Sequence, residues 1–130
     1  MRLILTLALL ASPLAAQDIV APSDVLERLR GTTLAYDADG VVVGVERFRE
    51  DDTVTVQHLD GSCLDGEVYV SGDELCFRYE DEAEGEEHCW WSVEIDGDLY
   101  MRLADLDRSM TLRTQRVPDR PFQCRDPNMV

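Results

Sequence analysis

The sequence predicts a mainly β domain: a small antiparallel meander of about seven to eight strands, closed into a barrel or folded into a sandwich, with one short N-terminal helix. Three observations carry this reading. Short β-branched or aromatic segments recur about every dozen residues. Turn signals stand between them, at Asp37-Ala38-Asp39-Gly40, Asp60-Gly61, Ser71-Gly72-Asp73 and Asp96-Gly97-Asp98. The connections are too short for parallel crossovers, so neighbours in sequence pair antiparallel.

The chain opens with the layout of a secretory leader. Arg2 precedes the apolar run 3–11, and small residues follow around Pro13, Ala15 and Ala16. The run is long enough to engage a translocon but shorter than the roughly 20 apolar residues that span a bilayer. Cleavage after Ala16 is expected, giving residues 1–16 as signal peptide and 17–130 as a single domain. The first cysteine is Cys63, so no lipid-attachment cysteine follows the leader. The remaining length, about 114 residues, fits one small core.

One helix is expected after Pro22. Ser23 is the candidate N-cap, and Asp24 places negative charge in the first turn. Val25, Leu26 and Leu29 share one face, and Gly31 ends the helix behind Arg28 and Arg30. Strands are expected at 32–36, 41–48, 53–58, 66–70, 74–80, 87–95, 99–103 and 110–117. The acidic run 80–87 reads as a solvated hairpin tip.

Four cysteines with no C-x-x-C pair suggest two disulfides in an oxidising compartment. A reversal around residues 82–83 puts Cys76 opposite Cys89. The same register pairs Leu75 with Trp90 and Phe77 with His88, and sets Arg78 against Glu87. Leu75, Phe77, Tyr79 and Trp90 then form a core face. Cys76, Arg78, Cys89 and Trp91 form the other. Val93 and Ile95 share parity with Trp91, so either both faces are covered there or a bulge near residues 91–92 resets the phase. Cys63 with Cys124 would be the second bond; sequence alone leaves the other two pairings open.

The segments Gly31-Thr32-Thr33-Leu34, Gly66-Glu67-Val68-Tyr69, Asp73-Glu74-Leu75-Cys76-Phe77 and Cys89-Trp90 resemble small exported β-proteins of alphaproteobacteria grouped as families of unknown function. The resemblance implies a compact sheet domain and implies no activity or site.

Charge narrows the partners. There is no lysine, and beyond the leader eleven arginines face 27 acids, a net charge of about −16. Such a surface repels nucleic acid and anionic lipid, and no membrane association is expected once the leader is removed. A basic protein partner is the electrostatically permitted one. Periplasmic or secreted placement fits the leader and the cysteines.

No constellation points to catalysis, metal or a cofactor. His58 shares parity with Val54 and Val56 and suits an inward or rim position. His88 adjoins Cys89, but a nucleophilic pair needs a free thiolate. No cysteine or histidine pair has zinc-ligand spacing. Asp37/Asp39 and Asp96/Asp98 resemble fragments of calcium loops without the distal Glu, and Asp-rich turns are ordinary turn chemistry. For binding, Trp91, Tyr79 and Arg78 are the candidates. Adjacent Trp90 and Trp91 must point to opposite faces of a strand, and an exposed Trp suits a binding contact. The expectation is a non-enzymatic exported module, inhibitor-like toward a cationic protein. The alternative is a small-ligand carrier with a lipocalin-like interior, distinguished by a Tyr- and Trp-lined cavity.

Overall fold

Consecutive hairpins build one curled wall. The computed structural model describes residues 18–81, 86–103 and 110–125. The expected leader and residues 82–85, half of the acidic tip 80–87, lie outside these residues. The elements are β1 (Asp18–Val20), α1 (Pro22–Leu29), β2 (Thr33–Ala38), β3 (Val41–Phe48), β4 (Thr53–His58), β5 (Cys63–Ser71), β6 (Glu74–Tyr79), β7 (His88–Ile95), β8 (Asp98–Leu103) and β9 (Thr111–Val117). Strands β2 to β9 form a closed eight-stranded antiparallel barrel, the circuit completed by β2–β9 and β7–β8 pairing. All eight expected strands are present. The ninth, β1, is an addition: Asp18, Ile19 and Val20 pair with Glu94, Val93 and Ser92. They take over the edge of β7 beyond Trp90, where pairing with β6 ends.

Turn chemistry follows the sequence. Asp39-Gly40 and Asp96-Gly97 take positive φ at both positions, the twist that joins antiparallel strands in two residues. Asp37 accepts the Gly40 N–H at 2.6 Å, and Asp98 pairs with Arg113 of β9 at 3.0 Å, so one carboxylate of each calcium-like fragment is engaged in an ordinary bond. The helix begins differently from expectation. Its N-cap is Ala21, with no side-chain cap bond, and Pro22 fills the first turn. The fixed φ of proline starts the helix two residues early and leaves Ser23 inside it.

Because the hairpins alternate direction, the barrel has two distinct ends. One carries the β3–β4, β5–β6 and β7–β8 turns together with α1. The helix packs against β5, β6 and β7 and inserts Val25, Leu26 and Leu29 among Leu34, Phe48, Val54, Val68 and Leu75. Arg30 grips Asp52 of the β3–β4 turn at 2.7 and 3.0 Å, and Arg28 reaches Glu94 of β7 at 3.1 Å. This end is plugged. The other carries the β2–β3, β4–β5, β6–β7 and β8–β9 connections and has no helix over it among the described residues.

The cysteine hairpin has the expected register, with Leu75 opposite Trp90, Cys76 opposite Cys89 and Phe77 opposite His88. Both disulfides form, Cys76–Cys89 and Cys63–Cys124. No bulge interrupts the β7–β8 register, and Ser92 and Val93 are both buried, so both faces of β7 are covered. The second disulfide ends a strap over the outer wall. Asp119 accepts from Arg47 at 3.1 Å, Arg47 lies over the Phe122 ring, and Gln57 donates to the Gln123 carbonyl. This strap helps explain why Thr33, on the outward face of β2, is buried.

The crosslinks close intervals of 61 and 13 residues. In the chain-entropy account these are worth about 4 and about 3 kcal/mol respectively. Removing Cys63 and Cys124 together should therefore cost more stability than removing Cys76 and Cys89 together. Urea unfolding of the two double-alanine variants checks this, and an equal or reversed order contradicts it.

Candidate functional site

The half of the barrel away from α1, open among the described residues, is organised around Glu46. Along β3, Gly44, Glu46 and Phe48 point inward, and Glu46 is only 1 % exposed. Its two carboxylate oxygens accept hydrogen bonds from two tyrosines of different strands. Tyr36 of β2 donates to Oε1 at 2.5 Å, and Tyr79 of β6 donates to Oε2 at 2.5 Å. Tyr36 is on the neighbouring strand, but Tyr79 stands three strands away along the wall and reaches across the interior.

Two glycines and a bulge shape this arrangement. Pairing of β2 with β3 slips between Tyr36 and Asp37: Tyr36 faces Gly44 while Asp37 faces Val42, leaving Val43 as the extra residue. Gly44 has no side chain to cover Glu46. A Cβ built there would stand 3.4 Å from the Gln57 carbonyl oxygen and 3.9 Å from the Val56 side chain. At Gly66, opposite Tyr79, a Cβ would fall 2.8 Å from the tyrosine ring and 2.5 Å from the Arg78 carbonyl oxygen. Gly66 thus lets β6 approach closely enough for Tyr79 to reach inward.

Between these groups lies a cavity of about 150 Å³. Its polar side is Tyr36, Glu46 and Tyr79; its apolar side is Val56, Phe77, Trp90, Met101 and Leu112; Val43, Gly44 and His58 stand toward the open end. Phe77 stacks beside Tyr79 with ring centres 6.2 Å apart, fixing the tyrosine's approach. A broader hollow of about 490 Å³ lies on the outer wall, but most of its charged groups are already engaged. There Arg49 donates to Thr55 at 2.7 Å, Thr55 donates to Asp65 at 2.5 Å, and Arg78 pairs with Glu67 at 3.8 Å. The interior cavity is the better-formed site.

Burial decides the ionisation of the cluster. Removal from water pushes the Glu46 carboxyl up to about 7, and the two tyrosine hydrogen bonds, which favour the anion, only partly offset this. Burial first, then the charge of Glu46, raises the Tyr36 phenol well above its usual range, so it remains a proton donor. Near neutral pH the cavity therefore holds a carboxyl poised between its two forms.

The three expected binding residues do not converge. Tyr79 belongs to the cavity. Arg78 points outward, over the Tyr69 ring and within 4.0 Å of Glu87. Trp91 is 43 % exposed on the outer wall, while Trp90 packs toward the core as parity requires. His58 occupies a rim position, and His88 lies beside Tyr79 with ring centres 6.4 Å apart. Cys76 and Cys89 approach Glu74 closely enough to suggest a metal cluster, but both sulfurs are disulfide-bonded and offer no thiolate.

Glu46 was not among the expected site residues. Its signal was parity: counting back by two from Phe48, an inward aromatic, reaches Glu46 and then Gly44. No family model, curated protein or solved structure matches the chain.

A pH test isolates Glu46. Unfolded, its carboxyl titrates near 4.5; folded, near 7. Between these values the native state retains a proton that the unfolded state has lost. Its contribution is full below the lower value and is lost as pH rises through the upper one, by roughly 3 kcal/mol in all. Asp51 and Asp60, whose carboxyls are lowered by bonds from Thr53 and Ser62, act in the opposite sense at acid pH. Relative to the wild type, Glu46→Gln should therefore gain roughly 2 to 3 kcal/mol between pH 5 and pH 8. A difference between the two proteins that does not vary with pH, measured by denaturant unfolding, contradicts the assignment.

Proposed function

We propose that this protein is an exported, non-enzymatic binding barrel that takes one compact ligand through its open end onto the Glu46 cluster. The observation that carries the reading is a buried, tyrosine-bridged carboxyl on the wall of a Tyr- and Trp-lined cavity. Such a site has the usual composition of a small-molecule pocket: mostly apolar lining with a few convergent polar groups. Its volume sets the scale. About 150 Å³ suits a molecule near the size of benzene, well below the load of a large lipocalin-type carrier. Export is supported by two disulfides, which persist in oxidising compartments, together with the leader-like N-terminal segment. Finding the unprocessed chain in the cytosolic fraction of its host would contradict export.

Gly44 provides the test. Its backbone has ordinary φ, and it lines the cavity, so Gly44→Val should fill the space without straining the strand. In a screen of molecules of about six to eight non-hydrogen atoms, ligands should shift the NMR signals of the Trp90 indole and the Met101 methyl. Gly44→Val should abolish those shifts. Shifts that persist in the variant, or a screen with no hit, would overturn the cavity reading.

A second reading is supported by the rim. Val41, Leu59 and Met110 are 61 %, 72 % and 48 % exposed on the strand ends and connections of the open end, where Asp37, Asp39, Asp60 and Asp81 also stand. An apolar rim set among acids suits a basic protein with its own apolar patch, in the manner of an inhibitor. A pull-down from periplasmic extract should then recover one basic protein at low salt and lose it at high salt. Recovery unchanged by Leu59→Ser would contradict rim docking.

A further inference from the structure

We propose that the cavity selects a compact organic cation, a ring or branched amine of about six carbons, whose ammonium group sits against Glu46. The inference rests on the ligand-binding reading above and adds the chemistry of the occupant.

The charge pattern inside the barrel is one-sided. Glu46 is the only carboxylate among the described cavity residues, and no arginine lines the space. Among the described residues, the arginines that form ion pairs make them elsewhere: Arg30 with Asp52, Arg28 with Glu94, Arg47 with Asp119, Arg78 with Glu67 and Glu87, and Arg113 with Asp98. Tyrosine hydroxyls satisfy hydrogen-bonding capacity but bring no positive charge. A carboxylate has about four acceptor positions, and Tyr36 and Tyr79 fill two of them. An ammonium can donate to those left and supply the missing charge, making the short, charge-assisted bond that is about twice as strong as a neutral one.

The rest of the lining suits the body of such a ligand. Phe77, Met101 and Leu112 offer apolar contact, and Trp90 and Tyr79 add aromatic rings to the lining, the side-chain class whose π-system attracts a cation. The long-range field acts in the same sense. A chain of net charge −15 concentrates cations near its surface and repels anions. An anionic ligand would meet both that field and Glu46. A neutral ligand would gain only the apolar contacts.

Other titratable groups define the conditions of the test. Tyr36 and Tyr79 touch the carboxyl directly, His58 stands at the mouth, and His88 lies against Tyr79. Working at pH 8 keeps Glu46 largely ionised while the amine remains protonated. The probes are cyclohexylamine and cyclohexanol, nearly equal in shape and different in charge. Binding is read from the Trp90 indole and Met101 methyl signals in 0.5 M salt, which suppresses attachment to the acidic exterior.

Wild-type protein should bind the amine at least about tenfold more tightly than the alcohol. In Glu46→Gln that preference should collapse to within about threefold. The comparison of probes on the wild type needs no variant, so it stands even where the substitution unfolds the protein. Equal affinities, or tighter binding of the alcohol, would overturn the cation proposal and leave the cavity reading intact. Amine binding that vanishes in 0.5 M salt, or survives Gly44→Val, would mark attachment to the outside and would also overturn it. Binding of neither probe would count against both readings.

Discussion

One carboxyl group held out of water organises the open half of this barrel. Burying a charge costs several kcal/mol unless hydrogen bonds or an opposite charge offset it. The chain supplies hydrogen bonds and no charge: Tyr36 from the adjacent strand and Tyr79 from across the interior. The result is a tie between distant parts of the wall, made by a group whose proton is loosely held. Where a barrel of this size would ordinarily fill its interior with side chains, Glu46 stands beside a space instead. Gly44 and the bulge at Val43 keep that space open.

The two ends divide the work between them. At the plugged end α1 inserts three aliphatic side chains among Leu34, Phe48, Val54, Val68 and Leu75, which are nearly or wholly inaccessible. Arg28 and Arg30 hold the helix across the turns, although exposed pairs of this kind contribute little individually. Outside, Cys63–Cys124 and the strap through Asp119 and Phe122 brace β2 to β5. Stability concentrated there frees the open end to carry a poised carboxyl and an unfilled space, both of which are destabilising in themselves.

Much of this was legible in the residues. The alternation around Cys76 and Cys89 was strong enough to give the hairpin register, because a one-residue slip would have turned Leu75 and Phe77 out to solvent. The Asp-Gly turns were legible because few other residues accept positive φ. Other features were not. Strand β1 is three residues long and exists only because β7 offers a free edge beyond Trp90, a tertiary fact with no local signature. The helix start shifted by two residues because Pro22 outweighed the capping preference of Ser23. Glu46 was hidden in a β-branched run and among many acids. Only the inward parity it shares with Phe48 separates it from solvated neighbours such as Glu50. The partnership with Tyr79 is set by barrel closure, which places β6 across from β3, and no spacing in the sequence encodes it.

Everything proposed for the cavity depends on Glu46 being an ionisable group shielded from water yet facing an accessible space. The most direct measurement is the side-chain carboxyl carbon shift of Glu46, followed by NMR across pH in uniformly labelled protein and assigned by comparison with Glu46→Gln. The account requires a midpoint near 7, far above the ordinary 4.5 of a solvated glutamate. A midpoint at the ordinary value would show the carboxyl open to bulk water, and the tyrosine-bridged site would have to be abandoned.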